Sequence, residues 1–242
     1  GVGEKQFRIQ DILLHVKDKS NLTDEENAFI VEGIKMVEEA IDENAKIQLI
    51  VICEECINNG TLNKEIMYKM AKHECIYVTE KIFLQITDVM NPQGILAVID
   101  KKVDKSEIDY TSNLFLILDN IQDPGNMGTI LRTADSINLK QIIVAKGTAD
   151  CYNPKVVRST MGAIFRVKVI ECENLENVVK EMKKRKIKVY ATDLATDKSI
   201  YDVNYNKSAI IIGNEANGVS KNLLDLATQK IKIPMIGKTE SL

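Results

Sequence analysis

Two side chains six positions apart carry the densest chemistry in this sequence. They lie in Asn120-Ile121-Gln122-Asp123-Pro124-Gly125-Asn126-Met127-Gly128-Thr129-Ile130-Leu131-Arg132-Thr133-Ala134-Asp135. The Asn126 amide can both donate and accept hydrogen bonds, and the Arg132 guanidinium stays charged and forks onto paired oxygens. Together they could orient a hydroxyl and hold an oxyanion. Glu215, in Gly213-Asn214-Glu215-Ala216-Asn217-Gly218, adds a carboxylate, and Ser241 adds a hydroxyl. Each also has a plain structural reading. Asn126 could cap a helix, Arg132 could face solvent, and Glu215 could complement the dipole of a helix start.

Particular elements must position these groups. The apolar run Leu114–Leu118 reads as a buried strand. Asp123-Pro124-Gly125 is a turn, because Pro presets φ and Gly accepts positive φ. A helix over 127–137 follows, with Ile130, Leu131 and Ala134 on one apolar face. Asn126 then stands at a strand's carboxyl edge, where open α/β sheets bind ligands. Ile210-Ile211-Ile212 runs into a Gly-rich turn at Gly213, which either lets a ligand approach or bends the chain sharply. Lys188–Thr192 ends at the same edge with Thr192 and Asp193. Pro234, between Ile233 and Met235, must finish the last strand.

The second half alternates throughout. Strands are expected at Leu114–Leu118, Gln141–Ala145, Arg166–Ile170, Lys188–Thr192, Ala209–Ile212 and Lys230–Ile233. Helices are expected at 127–137, 154–159, 174–185 and 219–226. Continuous aliphatic strands fit a mostly parallel sheet covered by helices on both faces. The first half reads as a smaller α/β domain. It has a helix at 4–17 and strands at Phe29–Val31, Ile47–Cys53, Cys75–Val78 and Ile95–Ile99, with helices at 33–41, 63–72 and 81–86 between them. Glu32-Gly33 ends a strand and permits the turn into a helix. Charged residues 101–112 read as a linker, which places the domains at 1–104 and 112–242.

Composition sets the bounds. The 242 residues carry a net charge of −3, which weighs against a general nucleic-acid binder but not against one local basic face. The cluster Lys183-Lys184-Arg185-Lys186 reads as a solvated helix end. No signal-peptide pattern and no bilayer-length apolar stretch occur, so a soluble, cytoplasmic protein is expected. Five cysteines at irregular spacing make no disulfide framework. Cys53-x-x-Cys56 with His73 and Cys75 invites a zinc reading, but the spacing is poor and ordinary thiols are preferred, with no metal.

In order, the Asn126–Arg132 segment, the Gly213–Gly218 turn and the closing Ile231–Leu242 stretch resemble the three motifs of the SpoU family. These are the RNA ribose 2′-O-methyltransferases of the SPOUT superfamily, and the resemblance covers Leu114–Leu242. Phe29–Ala40 resembles the opening of the L30e-like substrate-binding domain that many members carry. The resemblance implies a trefoil-knot fold and transfer of a methyl group from S-adenosylmethionine to a ribose 2′-oxygen. Ribosomal RNA of the 23S type is favoured by the added domain, with transfer RNA as the alternative. The sulfonium already activates the carbon, so no metal is called for.

The resemblance also assigns roles. Arg132, Asn126, Glu215 and Ser241 would be catalytic. Gly213, Ile233, Leu242, Thr192, Ile212 and Met235 would bind the cofactor. Arg132, Lys155, Arg158 and Arg166 are the candidates to meet RNA, because they lie in or between the motif segments. Arg132 could act as general base, or as a clamp on the RNA phosphate that also steadies the developing alkoxide. A permanently charged guanidinium suits the clamp. Glu215 could pair with Arg132 or with a substrate hydroxyl. The family pattern continues past Leu242 with an Asn and an apolar helix, so a tail that closes the knot and joins a homodimer interface is expected to be missing here. A non-catalytic RNA-binding or assembly factor on the same fold is the reading from another class. A nucleotide-binding oxidoreductase is disfavoured, because no G-x-G-x-x-G follows the first strand of either half.

Overall fold

The computed structural model describes residues 28–57, 61–101, 107–199, 201 and 205–232. They divide into two units. The first ends at Val103 and also takes in Tyr152–Phe165, and the second holds Asp104–Cys151 and the chain from Arg166 onward. The polypeptide therefore passes between units three times. No helix among the described residues is long and apolar enough to cross a membrane.

The first unit is built from β1 (Ala28–Glu32), α1 (Ile34–Asp42), β2 (Ile47–Cys53), α2 (Lys64–Met70), β3 (Cys75–Val78), α3 (Glu80–Ile86) and β4 (Ile95–Asp100). Its sheet runs β1-β4-β2-β3. β4 is antiparallel to both β1 and β2, and β3 is parallel to β2. Gly33 takes φ +95° at the entry to α1, a conformation that strains any residue with a Cβ. The Glu32 carboxylate accepts from the Thr87 hydroxyl and the Asp88 N–H. Cys53 and Cys56 bring their sulfurs to 2.6 Å. Cys75 pairs with Ile50, three residues down the β2–β3 ladder from Cys53. Among the described residues no three potential metal ligands gather.

The second unit contains β5 (Leu114–Asp119), α4 (Pro124–Ser136) and β6 (Gln141–Ala145). Next in sequence, α5 (Pro154–Ser159) and a 3-10 turn at Ala163–Phe165 belong to the first unit. There Phe29 packs on Tyr152 at 4.8 Å and on Phe165 at 6.4 Å between ring centroids. The second unit resumes with β7 (Lys168–Cys172), α6 (Leu175–Lys184), β8 (Lys188–Thr192), β9 (Ser208–Gly213), α7 (Lys221–Leu226) and β10 (Gln229–Ile231). Its six strands lie in the order β10-β8-β9-β5-β6-β7, and every neighbouring pair is parallel.

Alternate residues of each strand face opposite sides of a sheet. Phe115, Ile117, Val189, Ala209 and Ile211 form a core with Val178, Val179 and Met182 of α6 and Leu223 of α7. Leu114, Leu116, Ile210 and Ile212 occupy the intervening positions and stay half-exposed. Met127, Leu131 and Ala134 bury the inner side of α4.

Several expected boundaries move, among them the starts of α7 at Lys221 and β10 at Gln229, and two of the shifts have a clear cause. β7 begins at Lys168 rather than Arg166, because Lys168 is the first residue to pair with β6 and Arg166 is turned to Asp135. α4 begins at Pro124 rather than Met127, because Asp123 caps it and Pro is well suited to a first helical position. The helix expected at 4–17 lies outside the described residues.

Candidate active site at the carboxyl edge of the second sheet

β5 and β9 are adjacent in the sheet although β6–β8 separate them in sequence, and the strand order reverses there. Such a reversal opens a crevice at the strands' carboxyl ends. A cleft of about 720 Å³ occupies this place, within the size range of small-molecule sites. Asn126, Thr129, Ile130 and Thr133 line one wall, and Thr192, Asp193 and Leu194 line another. Ile212, Gly213, Asn214 and Glu215 line its upper part, and Leu116 and Ile210 lie along its floor.

The loops around the cleft are tied by side chains. Asp123 is the N-cap of α4, its carboxylate accepting from the Asn126 N–H at 2.9 Å. Asn126 is therefore not the cap, and its amide reaches the Glu215 carboxylate. Glu215 also accepts from the backbone N–H groups of Gln122 and Asp123, at 3.1 and 3.0 Å. Partial burial pushes the Glu215 carboxyl up. The N–H groups of Asp123, Glu215 itself and Gln122, with the Asn126 amide, outweigh that and hold it below the usual carboxylate value. Of the two partners open to Glu215, Arg132 is not engaged among the described residues, because the carboxylate faces the loop.

Gly213 has a clear steric reason. The turn after β9 folds back so that Asn214 and Gly218 bridge, and a Cβ on Gly213 would sit 2.0 Å from Gly218 C and Val219 N. The bend is filled by the chain's own backbone. Thr192 donates its hydroxyl to the Ile211 carbonyl at 3.0 Å, and the Asp193 N–H donates to the Ile231 carbonyl at 2.8 Å.

The expected site residues separate into groups. Asn126, Glu215, Thr192, Ile212 and Gly213 line the cleft together. Arg132 is exposed and is not among the cleft-lining residues. It makes no hydrogen bond or ion pair among the described residues. At about 100° per residue, it projects from a different side of α4 than Asn126, Ile130 and Thr133. Lys155 and Arg158 sit on α5 in the first unit, where Arg158 pairs with Asp88 at 3.1 Å. Arg166 makes a two-pronged ion pair with Asp135 at 2.9–3.0 Å. Ile233, Met235, Ser241 and Leu242 lie outside the described residues.

Sequence reasoning missed Gln122 and Asn120. Asn120 adopts φ +66°, which Asn tolerates better than most residues. The polar cluster between a buried strand and a Pro-Gly turn was the available signal.

Comparison with known proteins agrees with this architecture. The pattern described as SpoU rRNA Methylase family matches residues 113–242, and the MRM3-like substrate binding domain matches residues 14–97. The chain is 34% identical over 230 residues to the 23S rRNA (guanosine(2553)-2′-O)-methyltransferase RlmP of Bacillus subtilis, covering 95% of this chain and 87% of that protein. It is 27% identical to the mitochondrial rRNA methyltransferase 3A of Danio rerio, covering 90% of this chain and 61% of that one. A solved AdoMet-bound rRNA methyltransferase from Sinorhizobium meliloti superposes with a TM-score of 0.78 at 27% identity, over 97% of this chain and 88% of that one. The chain belongs to the SpoU rRNA methylase family.

Proposed function

We propose that the protein methylates a ribose 2′-oxygen in RNA with S-adenosylmethionine as donor, and that its substrate is 23S-type ribosomal RNA. One observation carries the reading. Asn126, Glu215 and the Gly213 bend come from loops far apart in sequence and converge on one cleft where the strand order reverses. The substrate named for RlmP and the AdoMet bound to the Sinorhizobium enzyme support the choice of RNA and donor.

The cleft's residues fit the donor's adenosyl part. Leu194, Ile212 and Val219 offer apolar walls for a purine, and Thr192 and Asp193 offer polar groups for ribose hydroxyls. Ile233, Met235 and Leu242 are proposed to complete that wall. When bound, S-adenosylmethionine supplies a methyl group on a sulfonium. Arg132 holds an RNA phosphate in a two-pronged contact and steadies the charge that develops on the 2′-oxygen. Asn126 orients the ribose, and Ser241 offers a further hydrogen bond beside it.

Arg132 is exposed and does not line its own chain's cleft. It would then serve the cleft of a second copy, and the protein is proposed to be a cytoplasmic homodimer through its second unit. A trefoil knot in the second unit belongs to the same proposal.

The test is transfer of tritiated methyl groups to total RNA from cells lacking the endogenous enzyme, followed by mapping of the modified position. Incorporation at a ribose of 23S ribosomal RNA is expected. No incorporation by a preparation shown by sedimentation to be dimeric would falsify the reading.

A further inference from the structure

Three loops leave the carboxyl edge of the second sheet side by side, after β5, β6 and β9. Strand pairing ends below them, so their mutual placement depends on what ties them above the sheet. Gln122 stands where the three meet. Its Nε2 donates to Asn120 Oδ1 at 2.6 Å and to the Gly147 carbonyl beyond β6 at 2.7 Å. Its backbone N–H donates to both Glu215 oxygens beyond β9, at 3.1 and 3.2 Å. The Asp123 N–H adds a bond to Glu215 at 3.0 Å. Asn214 Nδ2 donates to the Asn120 carbonyl at 2.9 Å, and the Ser220 N–H donates to Asp119 at 2.7 Å. The loop gripped in this way leads directly into the Asp123 cap of α4, then Asn126, then Arg132.

We propose that Gln122 and Glu215 are positioning residues for methyl transfer, forming a latch across the three loops that fixes the entry of α4 and so the placement of Asn126 and Arg132. This rests on the methyltransferase reading above. Neither side chain takes a proton from the substrate. Glu215 already accepts from two loop N–H groups, and a Gln side chain has no basic form to use.

The latch differs from a general base in two measurable ways. E215Q keeps an amide oxygen in the place of one carboxylate oxygen, so it preserves part of a latch but no part of a base. Q122A and E215A disable the same loop, so their effects overlap rather than multiply.

The experiment measures methyl transfer to transcribed 23S ribosomal RNA at saturating donor for Q122A, E215A, E215Q and the double variant Q122A/E215A. The latch predicts that kcat falls about tenfold or more in Q122A and E215A, with the RNA KM within about twofold. E215Q should keep several-fold more activity than E215A, and the double variant should be little worse than the worse single one. An E215Q protein as inactive as E215A, multiplying losses, or a loss carried by KM overturns the proposal.

Hydrogen exchange on the whole protein gives a readout that needs no activity. The Gln122 and Asp123 amides should exchange slowly in wild type and E215Q and faster in E215A, with β5 and β9 still protected. Equal protection in all three overturns the latch. A variant that loses protection throughout both strands has unfolded, and Q122A and E215Q then decide. If wild-type protein transfers no methyl group, the functional reading fails while the exchange rates still decide the latch.

Discussion

At the scale of single residues, the site depends on three kinds of constraint. Gly213 is steric. Its Cβ position is filled by the backbone of Gly218 and Val219 at 2.0 Å, so Gly213→Ala must push the turn away. Urea unfolding should show a loss of about 1–3 kcal/mol or more, and a change below ~0.5 kcal/mol would contradict the packing. Glu215 is electrostatic. Its folded pKa is depressed, so its contribution is complete above its unfolded value of about 4.3 and is lost as pH falls through the lower folded value. The signal is the difference between wild type and E215Q. The acid limb of the stability curve should be shallower in E215Q. Arg132 is chemical. It is exposed and makes no hydrogen bond or ion pair among the described residues, so Arg132→Ala should leave the melting temperature unchanged while methyl transfer falls about 10²–10³-fold, the usual loss for one charge-stabilising group. RNA retention on a filter should be largely kept. Arg132→Lys should also be slow, because an ammonium cannot reproduce the planar fork.

At the scale of elements, α4 translates loop geometry into the placement of Asn126 and Arg132. Its start is set by Asp123, whose side chain caps the Asn126 N–H, and its seat by Leu131, which is fully buried. Asp123→Ala should cost ~1 kcal/mol, the ordinary value of an N-cap. Leu131→Ala should cost about 2–5 kcal/mol through the cavity it leaves. Chemical denaturation of both variants checks the ranking, and a larger cost for the cap than for the core would overturn it.

The strands were legible in the sequence because a parallel sheet covered on both faces demands unbroken aliphatic runs. In that sheet β6 and β8 fall where those runs begin and end. The start of β7 was not legible. Val167 continues the apolar pattern, but a tertiary ion pair with Asp135 holds the neighbouring Arg166 out of the ladder. Gln122 was illegible for a similar reason, since its role comes from Gly147 and Glu215, partners distant in sequence. Asn126 and Glu215 were visible as chemistry, whereas their contact with each other needed the fold.

At the scale of the whole molecule, the chain does not divide at one linker. Residues Tyr152–Phe165 lie within the second half of the sequence yet belong to the first unit. Phe29 on β1 stacks against Tyr152 and Phe165, Arg158 pairs with Asp88, and Phe165 is buried, only 6% exposed. Nothing in the alternation of strands and helices marks this segment, because periodicity reports which face of an element is apolar and not which sheet it will cover. The arrangement makes a directional prediction. Removing the Phe165 ring should cost about 3–5 kcal/mol, as for other buried aromatics, and the damage should fall on the unit that the ring packs into. In Phe165→Ala, hydrogen exchange should accelerate along β1 and its neighbour β4, which are more than sixty residues away in sequence. β7, which begins three residues after the substitution, should keep its protection. Faster exchange in β7 with β1 unchanged would mean that the segment is seated in the second unit after all, and that the two halves of the sequence fold as separate domains.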